Sequence, residues 1–369
     1  MKFFRKVAFY LSDLHEGGAE NAMVILANEF ASMGFEVDFV LAKATGGFLT
    51  RLSTKINIVD LNVRNKYLSL WGLVRYFQEN TPVVMLSTLH VNNIMTIAAK
   101  KIARADSSRV VIRVATIVSG QIRVFWKKAL EKIVLSLVYP WADAIVSVSK
   151  TVSSDLSIFL NLPPEKIVTI YNPSITEDMY QKSRNELLHP WFQTGGAPVV
   201  LGVGRLTVDK DYETLIRAVF RVSKLMDVRL VILGDGDQRK HLENLAIELD
   251  IGDLVEIAGF VDNPFQYMRK ASVFVLPSLW EGLPNVLIEA MMCGCPVIAT
   301  DCPGGVREIL DNGNYGFLIP TRDPDEMAKR IVDVLQGKKI LADDQWLNQF
   351  KVENVIRHYM DILHVKSTE

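Results

Sequence analysis

Paired cysteines, metal-ligand spacings and membrane-length apolar runs are all missing from this 369-residue sequence. Cys293, Cys295 and Cys302 have no histidine near them in sequence, and an odd count at that spacing argues against both a disulfide framework and a zinc site. Reduced thiols in a cytosolic protein are expected. The longest apolar run, IVLSLVYPWADAIV, is broken by Pro140 and Asp143 and is too short to cross a bilayer. The start, MKFFRKVAFYLSDLH, is basic, but its apolar run ends at Asp13, which predicts a first strand rather than a signal peptide. Any membrane contact is therefore expected to be peripheral. There is no GxGxxG and no Walker loop, so neither a dinucleotide nor ATP hydrolysis is suggested. No Asp-x-Asp stands in a suitable loop, and a net charge of -1 argues against bulk nucleic-acid binding.

What is present divides into two halves of opposite charge. Residues 1–172 carry 20 Lys and Arg against 13 Asp and Glu, a net of +7, while residues 173–369 carry 21 against 29, a net of -8. A basic first half fits an anionic partner or an anionic membrane surface, or is simply solvated charge. Within it, the strand-like KVAFYLSDL, the loop HEGG, a helical AENAMVILANEFASMG and the strand EVDFVLAK make one βαβ unit, which implies a parallel sheet covered by helices. The second half repeats the alternation, from PVVLGVG through VRLVILGDG and VFVLPS to GFLIP, and predicts another doubly wound domain. The expected organisation is an α/β N-terminal domain over 1–172, a Pro- and Gly-containing linker over 173–198, a C-terminal domain over 199–350, and a tail helix over 351–369 able to pack on either domain. Two such domains leave a cleft at the carboxyl ends of two sheets, where ligands of open α/β sheets bind.

Three stretches carry chemistry. In LGVGRLTVDKDYETL, Gly202 and Gly204 end a strand and allow close backbone approach, and Arg205 with Lys210 suits a pyrophosphate, or else these are solvated loop charges. In HEGGAEN, Gly17 and Gly18 stand where free amides at a helix start can receive an anion, or form a plain turn. The third stretch, WEGLPNVLIEAMMCGCP, places Glu281 and Glu289 as the only charges in an otherwise apolar run. Pro284 fits the first turn of a helix through Asn285–Met292 stopped by Cys293-Gly294, so Glu281 falls in the loop before that helix and Glu289 about one turn inside it. Amides around Gly282, Leu283, Asn285 and Val286 would meet a phosphate there. The alternative is a capping acid and a core carboxylate paired with an arginine.

The run from Ser278 to Gly305 resembles the E-x7-E signature region of the family 4 glycosyltransferases, retaining enzymes with the GT-B fold. GGAE (17–20), SVSK (147–150), IYNP (170–173), GVGRL with Lys210, and LGDG (233–236) occur in the family's order. The resemblance implies two Rossmann-like domains facing across a cleft and a retaining hexosyl transfer from a nucleotide sugar, a UDP-hexose or UDP-N-acetylhexosamine, to a glycan hydroxyl. The acceptor implied is a lipid-linked, polyprenyl-diphosphate glycan of bacterial surface-polysaccharide synthesis. Arg205 and Lys210 would hold the donor diphosphate, Glu289 the ribose and Glu281 the donor sugar as a catalytic residue. Gly282, Leu283, Asn285 and Val286 would give backbone contacts, Phe260-Val261 would lie by the nucleobase, and Gly17 and Gly18 would approach the diphosphate from the other domain. No metal and no cofactor beyond the nucleotide-sugar co-substrate is expected.

The acceptor half matches less tightly. His90, in STLHVNN, is a candidate catalytic residue beside the donor sugar or else a structural histidine. Many relatives carry a histidine after the next strand, where this chain reads IRVAT, leaving Arg113 or Thr116 as substitutes. In QIRVFWKKALEKIVLSLVYPW (121–141), Ile122, Trp126, Ala129, Ile133 and Leu137 form an apolar stripe beside Arg123, Lys127, Lys128 and Lys132, read as packing against the sheet, with lipid contact as the alternative. The expected place is the cytoplasm, with peripheral association at the membrane face. The competing readings are a UDP-sugar epimerase or phosphorylase on a similar fold, and an inactive sugar-nucleotide-binding scaffold.

Overall fold

The computed structural model describes residues 5–15, 17–63, 68–81, 83–118 and 125–365, and for 125–129 the backbone alone. The chain divides into two compact units, residues 1–173 with 349–369, and residues 174–348. The first is built on β1 (Lys6–Leu11), β2 (Glu36–Leu41), β3 (Asn57–Asp60), β4 (Val84–Thr88), β5 (Arg109–Val114), β6 (Ala144–Ser147) and β7 (Ile167–Thr169). All pair in parallel in the order β3-β2-β1-β4-β5-β6-β7. Its helices are α1 (Gly18–Ser32), α2 (Ser69–Glu79), α3 (His90–Ile102), α4 (Phe125–Val138) and α5 (Lys150–Leu160). The second unit has β8 (Val199–Val203), β9 (Arg229–Leu233), β10 (Val255–Gly259), β11 (Val273–Leu276), β12 (Val297–Thr300) and β13 (Phe317–Ile319), again all parallel, in the order β10-β9-β8-β11-β12-β13. Around this sheet run α6 (Glu177–Ser183), α7 (Tyr212–Ser223), α8 (Arg239–Glu248), α9 (Phe265–Lys270), α10 (Asn285–Met292), α11 (Val306–Ile309), α12 (Pro324–Leu335) and α13 (Asp344–Leu347).

Parallel strands covered on both faces must be apolar along their whole length, and these are: β1, β4 and β8 are buried at almost every position. In the first unit, Phe9, Phe30 and Phe39 lie at the centre of a core that also takes Val355, Ile356, Tyr359 and Leu363 from the final helix, α14 (Val352–Leu363). The tail helix thus completes the first unit. In the second, the buried stripes of α7, α8 and α12 close on β8, β9 and β11. No helix of the described residues is long and apolar enough to cross a membrane.

Two sequence expectations need correction. The stretch 173–198 is packed structure of the second unit from Ser174 onward rather than a linker. It contains α6, which packs on α9, and His189 is enclosed by Trp191, Phe192 and Tyr267 and bonded to Glu256 at 3.1 Å. Its buried residues are Ser174, Ile175, Met179, Ser183, Leu187 and His189, of which only Ile175, Met179 and Leu187 are apolar, so the hydrophobic pattern is faint. The second correction concerns α4. Ile122 and Arg123 lie outside the described residues, as do the side chains of Trp126, Lys127, Lys128 and Ala129, but Leu130, Ile133 and Leu137 are 57–65% exposed and Trp141 is 52% exposed. Leu135 and Tyr139 take the buried positions instead.

Candidate active site

Strand order reverses at β8 in the second sheet, with β9 on one side and β11 on the other, and the crevice at such a reversal is where open α/β sheets bind ligands. The loops leaving β8 and β11 there carry Gly204–Lys210 and Ser278–Pro284. Lys210 Nζ lies 2.5 Å from Glu281 Oε1, and Ser278 Oγ donates to the same oxygen at 2.7 Å. Only 10% of the Glu281 side chain and 16% of that of Lys210 are exposed. A carboxylate so withdrawn from water costs several kcal/mol, roughly, when unpartnered; an ammonium and a hydroxyl offset that cost here. The two loops are tied by a bond from Leu279 N to Asp209 O of 2.8 Å.

Behind Glu281 stands the turn Cys302–Gly305. Glu281 N donates to Pro303 O at 2.9 Å and Gly305 N to Gly282 O at 2.7 Å. Gly304 has φ +133°, and a Cβ there would fall 2.2 Å from Glu281 O. Thr300 Oγ1 closes the backstop by donating to Ser278 O at 2.5 Å. Helix α10 begins at Asn285 after Pro284 and ends at Cys293, with Gly294 at φ +73°, as the sequence predicts. Glu289 is 7% exposed inside it, Gly282 and Leu283 are buried, Val286 is half-buried, and the Asn285 side chain accepts from Ser174 Oγ at 3.1 Å. The three cysteines are free and buried. Burial, with Glu281 beside it, pushes the Cys302 thiol up to about 12, and burial with the Glu289 charge does the same for Cys293.

The glycines of the β8 loop have a different reason from the one the sequence suggests. A Cβ on Gly202 would meet the Tyr212 ring at 2.8 Å, and one on Gly204 would meet the Tyr212 hydroxyl at 2.9 Å, so both make room for that buried tyrosine. Gly234 of LGDG has φ +143° and would collide with Gly204 O at 1.9 Å. Bonds from Gly204 N to Leu233 O and from Leu206 N to Asp235 O, both 2.9 Å, lock the two loops together. This leaves Arg205 exposed, with no side-chain partner among the described residues. Asp235 turns its carboxylate to its own loop, accepting from Gly236 N at 2.8 Å. Phe260, past β10, is 62% exposed, and Val261 is half-buried. Among the described residues no group of three or more His, Cys, Asp or Glu is placed to hold a metal ion.

The first sheet reverses between β1 and β4. Gly17 caps α1, accepting from Asn21 N at 2.9 Å, with Gly18 as the first helical residue. The preceding loop is braced by bonds between Leu14 and both Thr45 and Phe48. His90 opens α3 immediately after Leu89, whose φ of +72° is uncommon for a residue with a side chain. Its Nδ1 lies 2.9 Å from the Tyr139 hydroxyl, and burial pushes the imidazole down to about 4, so it is neutral at physiological pH. Arg113 is fully buried; its terminal nitrogens are bonded to Thr88 Oγ1 at 3.1 Å and to Asn172 Oδ1, which ties strand ends together, while its Nε is buried without a partner. Thr116 is half-buried. Sequence reasoning missed Ser278 and Gly304, although both lie inside the run that carries the resemblance, because a serine or glycine beside two acids gives no periodic or charge signal of its own.

Comparison with known proteins gives the family. A model described as Glycosyltransferase Family 4 matches residues 16–177, and one described as Glycosyl transferases group 1 matches residues 197–337. The chain belongs to glycosyltransferase family 4. The N-acetylgalactosamine-N,N'-diacetylbacillosaminyl-diphospho-undecaprenol 4-alpha-N-acetylgalactosaminyltransferase of Campylobacter jejuni is 29% identical over 345 residues, covering 91% of this chain and 92% of that one. Another C. jejuni protein, the GalNAc-alpha-(1->4)-GalNAc-alpha-(1->3)-diNAcBac-PP-undecaprenol alpha-1,4-N-acetyl-D-galactosaminyltransferase, is 24% identical over 97% of this chain and 98% of its own length. Anabaena Alr3699/HepE, solved in complex with UDP-glucose, has a TM-score of 0.81 at 20% identity, covering 97% of this chain and 99% of that one. The fold of this family 4 glycosyltransferase is GT-B.

Proposed function

We propose that this glycosyltransferase moves a hexosyl or N-acetylhexosaminyl group from a UDP-sugar to a hydroxyl of a polyprenyl-diphosphate-linked glycan, with retention of configuration and without a metal ion. The observation that carries the reading is the Lys210–Glu281–Ser278 cluster at the β8/β11 reversal. Without donor, ammonium and carboxylate neutralise each other. When a diphosphate arrives, Lys210 turns to it together with the exposed Arg205 and the amides of Gly282, Leu283, Asn285 and Val286 at the start of α10, which offsets the leaving-group charge. Glu281, held in place by Ser278 and the Cys302–Gly305 turn, then accepts bonds from hydroxyls of the donor sugar. Glu289 accepts from the ribose, and Phe260 offers an exposed ring to the nucleobase. His90 is neutral and already spends Nδ1 on Tyr139, so it acts as a hydrogen-bond donor; a phosphate oxygen of the leaving group takes the acceptor proton.

Polyprenyl-linked acceptors stand in a membrane. The exposed Leu130, Ile133, Leu137 and Trp141 and the positive first half support peripheral attachment at an anionic cytoplasmic face. Flotation with anionic liposomes at low salt tests that attachment, and a protein that stays at the bottom of the gradient speaks against it. The reaction is tested with a panel of UDP-sugars and a polyprenyl-diphosphate-linked sugar in the presence of EDTA, reading product mass and anomeric configuration. An α-linked product from an α-linked donor, at undiminished rate, is expected. Inversion would overturn the retaining assignment, and loss of rate with EDTA would overturn the metal-free one.

A further inference from the structure

The chain passes between the two units at residues 173–174 and returns at 348–349. At the first passage Asn172 through Ile175 are all buried, so the joint is packed rather than slack. Asn172 is tied to the first unit by its side chain: Oδ1 accepts from a terminal nitrogen of the fully buried Arg113. A guanidinium cannot shed its charge and, withdrawn from water, is held hard to the groups bonded to it, so Asn172 is fixed by a charge-assisted bond. The preceding Tyr171 packs its ring against Phe350, just past the return passage, with centroids 5.2 Å apart.

Ser174 is tied to the second unit in the same way. It is 2% exposed, and a place so buried takes an apolar residue, as Ile175 beside it does, unless a hydroxyl has a bond to make. Its Oγ donates to Asn285 Oδ1 at 3.1 Å. Asn285 is the first residue of α10, and Pro284 at the N-cap makes no side-chain bond to the free amides of that helix. The start of α10 is therefore braced from outside the helix, by the residue with which the second unit begins. Between this brace and the Arg113 anchor stands one residue, Pro173, whose ring holds φ at about −65° and leaves it little freedom to absorb a displacement. We infer that Ser174 is a positioning residue for the transfer: through Asn285 it sets the start of α10, and through Pro173 it ties that setting to the Arg113–Asn172 anchor in the first unit. The inference rests on the transferase reading above, in which amides at the start of α10 meet the donor diphosphate, and adds the route by which donor occupancy reaches the chain crossing. A diphosphate that draws the amides of Asn285 and Val286 toward it moves the side chain that Ser174 holds. The displacement passes along a backbone with one nearly rigid residue and arrives at Asn172. Coupling between two sites works equally in both directions, so the anchor in turn presents α10 to the donor.

Deuterium exchange of backbone amides on the full chain, with and without UDP, tests it together with the transfer assay. Slowed exchange in residues 203–210 and 282–290 reports UDP at the proposed donor site, and slowed exchange in residues 165–172 reports the crossing. Both are expected in the wild-type chain, the second by roughly 5-fold or more. Ser174→Ala is expected to keep the first response and lose the second, to leave UDP affinity within about 3-fold, and to lower kcat about 10-fold. Ser183→Ala is the control, since Ser183 is 3% exposed but donates within its own helix, to Tyr180 O at 2.8 Å, and it is expected to change none of these readings. A wild-type chain in which UDP slows 203–210 and 282–290 but not 165–172 overturns the inference whether or not the variant folds. A Ser174→Ala chain with unchanged kcat or with the 165–172 response intact does so as well, and an equal loss of kcat in Ser183→Ala would reduce Ser174 to packing. No slowing anywhere, with no UDP bound, would instead sink the donor reading on which the inference stands.

Discussion

The carboxyl edges of the two sheets share a strand-order reversal and differ in how their polar groups are held. In the second unit, Glu281 is bonded to Lys210 and Ser278, and its backbone is clamped by Pro303, Gly304 and Gly305. In the first, the corresponding edge has a fully buried amide with an unmade hydrogen bond, a side-chain-bearing residue at φ +72° and a neutral histidine. An edge whose charges pair with each other in the empty state can be rigid and stable before the ligand comes.

The sharpest way to break the comparison is Lys210→Ala. On the proposed function it removes a diphosphate ligand, and it leaves Glu281 with only Ser278, so kcat/KM is expected to fall about 10²–10³-fold, and stability by about 3–5 kcal/mol, since one partner of a buried ion pair is lost. UDP titration and denaturant unfolding measure the two separately; intact UDP affinity would detach Lys210 from the diphosphate. Next comes the clamp. Gly304→Ala puts a methyl group against Glu281 O and is expected to cost about 1–3 kcal/mol with a clear loss of kcat. Gly34→Ala, at φ +86° with open space around it, carries only the cost of backbone conformation, about 1 kcal/mol, and no catalytic effect. Equal effects on kcat would mean that the clamp does not position Glu281. The smallest effect concerns pH. With its folded value near 4, below the ordinary 6.5, His90 disfavours folding only as pH falls from about 6.5 toward 4. Its NMR ring resonances are expected to stay flat between pH 5.5 and 8, and an inflection near 6–7 would make it a titrating group in the working range.

The edge of the second unit was also the more legible in sequence, for a physical reason. A buried ion pair, a helix start and two colliding glycines need particular residues at fixed spacing, so WEGLPNVLIEAMMCGCP with GVGRL and LGDG announces itself. The alternation of short apolar strands with amphipathic helices likewise gave both parallel sheets, apart from β7, Ile167–Thr169, where the exposed Val168 leaves no buried run. The edge of the first unit offers no such spacing: Ser12, Asn92, Thr116 and Glu131 come from separate segments and meet only through the strand order. The packing of residues 174–198 was hidden in the same way, since His189 is buried by contacts with Tyr267 and Glu256, far along the chain.

The last helix has a consequence for how the molecule is made. α14 supplies Tyr359 and Leu363, both fully buried, to a core whose other members come mainly from the first 170 residues. During synthesis that core leaves the ribosome with one wall missing, and the whole second unit emerges before the wall arrives. Domains ordinarily fold in the order of their emergence. Here the unit that is translated first is finished last, and a chain cut within Val352–Leu363 would lack the end of the helix that seals it.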